Sequence, residues 1–166
     1  MRVEQTFTVP EGRDRVWTFF ETEVERVTRC IPGVESFEDL GEDKYRVRIT
    51  QKVGSIGATF DLKAQLDRKD PMHAFEFSAV GRSVKGAAGD MRSKNRLELA
   101  QSDDGGTTLT VTSDVALGGM LGSLGHRVVV SKAKDVTEQF VRNVTESMRA
   151  WSSEGGGRPD GGSGPG

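Results

Sequence analysis

Hydrophobic and polar positions change period several times along this chain. Residues 2–9, RVEQTFTV, alternate, with Val3, Gln5, Phe7 and Val9 on one face, and predict a strand ended by Pro10 and Gly12. From Arg13 to Ile31 the spacing becomes helical, with Val16, Phe19, Phe20, Val24, Val27 and Ile31 apolar. The β-branched residues in this segment favour two short helices over one long one. Pro32 and Gly33 stop the pattern, because proline disfavours helix at the residue before it. From Val34 to Leu117 six further strands follow, with turn signals at Gly41-Glu42-Asp43 and Asp103-Asp104-Gly105-Gly106. Helical spacing returns from about Met120 to Trp151, where Leu124, Val128, Ala133, Val136, Phe140, Val144, Met148 and Trp151 form one apolar stripe.

The order is therefore one strand, two short helices, six strands and one long helix. Strands joined by short turns pair antiparallel. Their single apolar face needs a cover, and the long stripe of the last helix is the cover available. The expectation is an α+β fold in which a curved antiparallel sheet of about seven strands wraps a C-terminal helix, with a cavity between them.

Composition narrows the organisation. The domain is expected over 1–151, since 152–166 is rich in glycine and proline, carries no large apolar residue, and reads as a flexible tail. The net charge is −2, which gives no global basic field for nucleic acid. No apolar run is long enough to predict a spanning helix. No apolar signal segment opens the chain, so export by that route is not expected. Cys30 is the only cysteine, which fits a reducing compartment.

The chemistry-bearing residues are few. His73 and His126 form no pair at metal-ligand spacing, and no metal site is expected. Cys30 lacks a histidine nearby in sequence to act as its base. It reads as a small buried plug at the end of a short helix rather than as a reactive thiol. No catalytic residue is therefore assigned.

The inward strand positions are apolar with scattered neutral polar groups, and none is an acid or a base. Candidate cavity residues are Phe7, Val47, Ile49, Gln51, Phe60, Leu62, Phe75, Phe77, Met91, Asn95, Val111 and Ser113 on the strands. Leu121, Leu124, Val128 and Phe140 join them from the last helical segment. Such a lining suits a large neutral ligand with a few carbonyl or hydroxyl groups; from the residues alone, a filled core fits it equally. Gly54, Gly57, Gly119 and Gly122 admit two readings, close packing or a gate to the cavity. Arg46, Arg48, Lys52, Lys63, Arg92, Lys94 and Arg96 make the outward strand face basic. That face reads as solvated, or as an orienting surface toward an anionic partner.

Specific words in the chain carry a resemblance. VWTFF at 16–20, CIPGVESFEDLGEDKYRVR at 30–48, VGSIGATF at 53–60, DGGTTLTVTSDVALGG at 104–119 and LGSLG at 121–125 resemble the carbon-monoxide dehydrogenase G-subunit family. This is a branch of the START-like (SRPBCC) helix-grip superfamily, and the match spans nearly all of residues 2–151. The resemblance implies the helix-grip fold and a non-catalytic accessory to the molybdenum-containing carbon-monoxide dehydrogenase. It also implies a cytoplasmic location peripheral to the inner face of the cell membrane, to which such proteins bring the enzyme. Members often continue past the domain, so the chain is expected either to lack a membrane-binding end or to continue beyond Gly166. No cofactor is required. The expected ligand is a lipophile drawn from the electron-accepting quinone pool, menaquinone, with Gln51, Asn95 or Ser113 meeting its carbonyls. The alternatives are a pure membrane-recruitment adaptor without a specific ligand and, behind it, a cyclase or hydrolase of the same fold.

Overall fold

A computed structural model describes residues 1–53 and 55–156. Strand β1 (Arg2–Val9) is followed by helices α1 (Arg13–Thr22) and α2 (Val24–Arg29). Strands β2 (Val34–Gly41), β3 (Lys44–Val53), β4 (Ile56–Asp70), β5 (Ala74–Gly86), β6 (Asp90–Gln101) and β7 (Thr107–Leu117) come next. A short 3-10 segment, Gly119–Leu124, leads into α3 (His126–Ser153).

All seven strands form one antiparallel sheet in the order β1-β7-β6-β5-β4-β3-β2. Strands β2 to β7 make a meander, each hydrogen-bonded to the next in sequence. Only β1 is out of sequence order, returning to pair with β7 from Arg2↔Asp114 to Val9↔Thr107. The alternation expected from the sequence is retained: Val3 and Val9, Val47, Phe60 and Leu62, and Leu97 and Leu99 are buried on the inner face.

The inner face is covered unevenly, by two separate buried clusters. The larger joins α1, the C-terminal half of α3 and one end of the sheet. In it Trp17 stacks on Phe75 at 4.1 Å, and Phe19, wholly buried, packs 5.2 Å from the Trp151 ring. The smaller lies at the other end, where Leu121 of the 3-10 segment meets Ala58, Phe60 and Leu62.

The expected last helix is corrected at its start. The chain leaves β7 as a 3-10 turn, and α3 begins only at His126, because Gly125 at φ 90° breaks the helical path. A side chain there would be strained, which is why the break falls on a glycine. The end is corrected too, since α3 runs on to Ser153 and a turn follows to Gly156. Arg15 donates to Ser152 Oγ and to the Gly156 carbonyl (3.3 Å), and Arg26 grips the Glu154 carboxylate at 2.6 Å. The start of the expected flexible tail is thus docked on α1 and α2. Residues 157–166 of that tail lie outside the described residues.

Candidate functional site

Strand register shows where the inner face is hollow. One rung runs Phe75–Leu97–Val111–Gln5 and belongs to the larger cluster's end. At the other end the rung is Val47–Leu62–Gly81–Met91–Leu117, most of it part of the smaller cluster. Between them lie two rungs, Leu66–Phe77–Asn95–Ser113–Val3 and Tyr45–Ala64–Ala79–Ser93–Val115, which bring the small or polar side chains Ala64, Ala79, Ser93, Asn95 and Ser113 together. Large residues at both ends and alanine and serine in the middle leave a depression, since a shortened side chain vacates volume that nothing else in its strand fills.

Helix α3 does not close over it. Its buried residues, Val141, Val144, Met148 and Trp151, all lie in its C-terminal half. On the sheet Phe77 is 37% exposed despite pointing to the inner face, whereas the exposed Val128 of α3 lies on the side of the helix away from Val144 and Met148. A large apolar group facing the interior yet wetted marks a groove between the sheet and the first half of α3.

The polar groups of this groove are neutral. Asn95 donates its side-chain amide to Ser93 Oγ (3.0 Å) and to the Phe77 carbonyl (3.4 Å). Ser113 lies beside Asn95 in register. Gln5 Oε1, one rung away, is buried without a donor among the described residues. Tyr45 borders the groove at the β3 side; burial first, and then Asp43 and Asp39, raise its phenol pKa above the ordinary value. No group of histidine, cysteine and carboxylate side chains able to hold a metal occurs among the described residues.

The sixteen expected cavity residues separate into three sets. Phe7, Phe75, Val111 and Phe140 belong to the larger cluster. Ile49, Phe60, Leu62, Met91, Leu121 and Leu124 belong to the smaller. Val47, Gln51, Phe77, Asn95, Ser113 and Val128 belong to neither; of these Phe77, Asn95 and Ser113 border the groove, and Val128 lies on the outer side of α3. The correction has a physical cause: large apolar side chains on a concave face find one another first, so the residues best at lining a cavity also fill its ends. Gln51 is further committed, donating its amide to the Pro32 carbonyl at 2.6 Å. Sequence reading left Ala64, Ala79 and Ser93 out of the site. Their signal was present, as small residues at inward positions of adjacent strands, but it needs the register to show.

That Gln51 bond also explains the CIPG word. Gly33 sits at φ +89° so close to β3 that a Cβ there would lie 2.1 Å from the Thr50 carbonyl oxygen. The chain thus turns sharply from α2 onto the sheet edge, locked by Thr50 N–H donating to the Gly33 carbonyl at 2.9 Å. Cys30, 5% exposed, is a member of the larger cluster, and its thiol donates to the Arg26 carbonyl (3.2 Å). Burial pushes its thiol pKa up, against a smaller lowering by Ser147. Its carbonyl accepts from the Asn143 amide of α3 at 2.9 Å. A neutral, buried thiol with no base beside it is a packing group, as the sequence reading expected.

Of the expected gate glycines, Gly119 and Gly122 are tightly packed in this conformation, while a Cβ on Gly57 would find only ordinary contacts. A Cβ on Gly119 would lie 3.0 Å from Gly89 Cα, and one on Gly122 would lie 2.8 Å from the Leu117 carbonyl oxygen. The Gly57 carbonyl accepts from Ala87 N–H at 2.9 Å. Gly54 lies outside the described residues.

The outer face has its own relief. Shallow depressions of about 440 and 270 Å³ meet at Val80, Gly81 and Arg82, among Arg46, Lys63 and Arg92. The expected basic stripe is partly neutralised, since Arg48 pairs with Asp61 and Arg96 with Glu76 and Glu98.

An antiparallel sheet gripping a C-terminal helix, with a neutral groove between them, defines the START-like helix-grip class, and solved structures of that class superpose on the chain. A conserved protein from Geobacillus kaustophilus aligns with TM-score 0.80 at 20% identity, over 91% of this chain and 97% of its own. A START superfamily protein from Mycobacterium smegmatis gives 0.64 at 12% identity, over 90% and 97%. The Zhui aromatase/cyclase from Streptomyces sp. R1128 gives 0.53 at 19% identity, over 89% and 90%. At these identities the likeness is one of fold. No curated protein matches the chain in sequence. Within that class the chain belongs to the carbon monoxide dehydrogenase G-subunit (CoxG) family, whose model matches residues 6–149.

Proposed function

We propose that this chain is a non-catalytic accessory of a molybdenum-dependent carbon monoxide dehydrogenase. It holds a lipophilic, carbonyl-bearing ligand, menaquinone, in its inner groove, and links the enzyme to the quinone of the cytoplasmic membrane. The observation that carries the reading is the depression at Ala64, Ala79 and Ser93, free of acids and bases along its rungs and flanked by the wetted Phe77. A quinone presents a flat apolar ring, an isoprenoid tail and two carbonyl acceptors. The ring and tail suit a groove of this kind, where apolar contact supplies most of the affinity. The Ser113 and Ser93 hydroxyls are donors within the same two rungs, and the Asn95 amide can join them by exchanging its long bond to the Phe77 carbonyl for a quinone carbonyl.

Acid–base catalysis of the kind an aromatase/cyclase needs would require a titratable group in the groove. The polar groups of the two rungs are Asn95, Ser93, Ser113 and, at the border, the Tyr45 phenol, whose pKa burial moves further from neutral. Family membership supports the dehydrogenase as partner.

The test is native mass spectrometry of the full chain after incubation with detergent-solubilised menaquinone. The reading expects a saturable one-to-one adduct. Replacing the amide by Asn95→Leu should weaken the adduct about three- to tenfold, the worth of one neutral hydrogen bond. A chain that takes up no quinone at any concentration leaves recruitment without a ligand as its function. An Asn95→Leu protein with unchanged affinity removes that residue from the site.

A further inference from the structure

The two ends of the sheet differ sharply in surface chemistry. One end carries the β5–β6 hairpin turn at Ala87–Gly89, the β4 start at Ile56 and the 3-10 segment, drawn together by Leu121 N–H donating to the Ala88 carbonyl. Met120 is 61% exposed there, Ile56 39%, and Val128 stands in the adjacent first turn of α3. Met1, whose carbonyl accepts from Val115 N–H, is exposed at the same end. The opposite end has the turns Glu42–Asp43, Pro71–His73 and Ser102–Gly106. Leu40 is the one large apolar residue exposed there among the described residues.

Charge follows the same axis. The Leu40 end places Glu42, Asp43, Asp70, Asp103 and Asp104 in or beside its turns. The Met120 end places Lys52, Lys85 and Arg127 around the apolar tips, all exposed and outside every ion pair among the described residues; Asp90 is the carboxylate of its hairpin. Apolar tips ringed by unpaired cations match the boundary of an anionic bilayer, where the cations meet headgroups and the tips enter the acyl margin. An acidic opposite end adds orientation, since the same field repels it.

We propose that the end of the sheet formed by Ile56 and the 3-10 segment is a membrane-docking surface for anionic phospholipid, with Met120 and Ile56 as shallow inserting tips and Lys52, Lys85 and Arg127 as headgroup contacts. Its place matters, because the first half of α3, which borders the groove, starts directly after the 3-10 segment at this end, so a docked protein would present that end of its groove to the lipid. This names the surface behind the membrane link of the preceding section. It stands without the groove holding a quinone, and differs from attachment through the basic strand face.

The experiment is flotation of the full chain with phosphatidylcholine vesicles, with and without phosphatidylglycerol. The proposal expects binding only to the anionic vesicles, falling steeply with salt. Lys85→Glu and Lys52→Glu should each weaken partitioning at least about fivefold, the value of one surface cation at an anionic leaflet. Met120→Glu should do the same, while Leu40→Glu leaves it unchanged. All four residues are exposed, so unaltered thermal unfolding identifies folded variants. Absence of binding to anionic vesicles overturns the proposal, as does binding untouched by all three end variants. So does a Met120→Glu effect confined to self-association or to capture of the dehydrogenase, which would give this end to a protein partner. Quinone uptake in detergent, measured on the same variants, reads the groove separately: uptake without vesicle binding sinks the surface alone, and vesicle binding without uptake sinks the quinone alone.

Discussion

The two halves of α3 carry one continuous apolar stripe but meet different things. The C-terminal half buries Val141, Val144, Met148 and Trp151 against the aromatic side chains of α1. The N-terminal half contributes no buried residue. The difference shows that an amphipathic stripe specifies which side of a helix turns inward but not what it touches. One half of the helix stabilises the fold, and the other is free to serve as the wall of a groove.

The largest expected effect lies in the filled half. Phe19 is wholly buried between Phe20 and Trp151, and Phe19→Ala should cost about 3–5 kcal/mol, read by urea unfolding. A loss below about 1 kcal/mol would mean that this cluster does not hold the helix down. Next is the tight contact at the hollow's edge. A Cβ on Gly81 would lie 2.0 Å from the Asp61 carbonyl oxygen and 2.8 Å from Leu62 Cδ2. Gly81→Ala should therefore cost about 1–3 kcal/mol by forcing β5 away from β4, checked by the same unfolding curve.

A smaller effect separates groove from core most directly. Ala79→Leu adds volume in the depression. In a groove it should change stability by less than about 1 kcal/mol while abolishing quinone uptake; in a packed core the same change would cost about 1–3 kcal/mol. Calorimetry and native mass spectrometry on that one variant decide between the two. The smallest effect is a pH dependence at Cys30. Its folded pKa lies above the ordinary thiol value of 9.0, so the folded state holds the proton more tightly than the unfolded chain. The stability this contributes is complete below pH 9 and is lost as pH rises through the folded value. The comparison of wild type with Cys30→Ala in alkaline unfolding should show the extra decline only in the wild type.

How far the sequence could be read varied by residue. The alternation of KYRVRITQKV and of TTLTVTSDVAL identified β3 and β7 and their inward faces, because a period of two survives any tertiary arrangement. Asn95, Ser113 and Phe77 were assigned to the inner face by the same rule, and the register keeps them side by side. The rule fails for Phe75 and Leu62, which point inward too but are consumed by Trp17 and Leu121, partners distant in the chain. It fails again at Gly118–Gly125, where helical spacing of apolar residues suggested a helix. There the close backbone approaches of Gly119 and Gly122 and the φ of Gly125 impose a 3-10 turn. The docking of Ser152 and Glu154 on Arg15 and Arg26 was likewise invisible, since polar residues beside a glycine run read as tail until a cation from another helix meets them.

By itself, the sequence determined the order of elements, the face each strand turns inward, the neutrality of that face and the burial of Cys30. Each of these depends on local periodicity or on residue type alone. The tertiary structure decided the rest: which rungs align, that small residues from β4, β5 and β6 fall side by side, that α3 covers one half of the sheet tightly and the other loosely, and that Ile56 and Met120 share one end. These are products of register and of contacts between residues far apart in the chain. They are set by how large side chains fill space together, and no window of sequence contains that information.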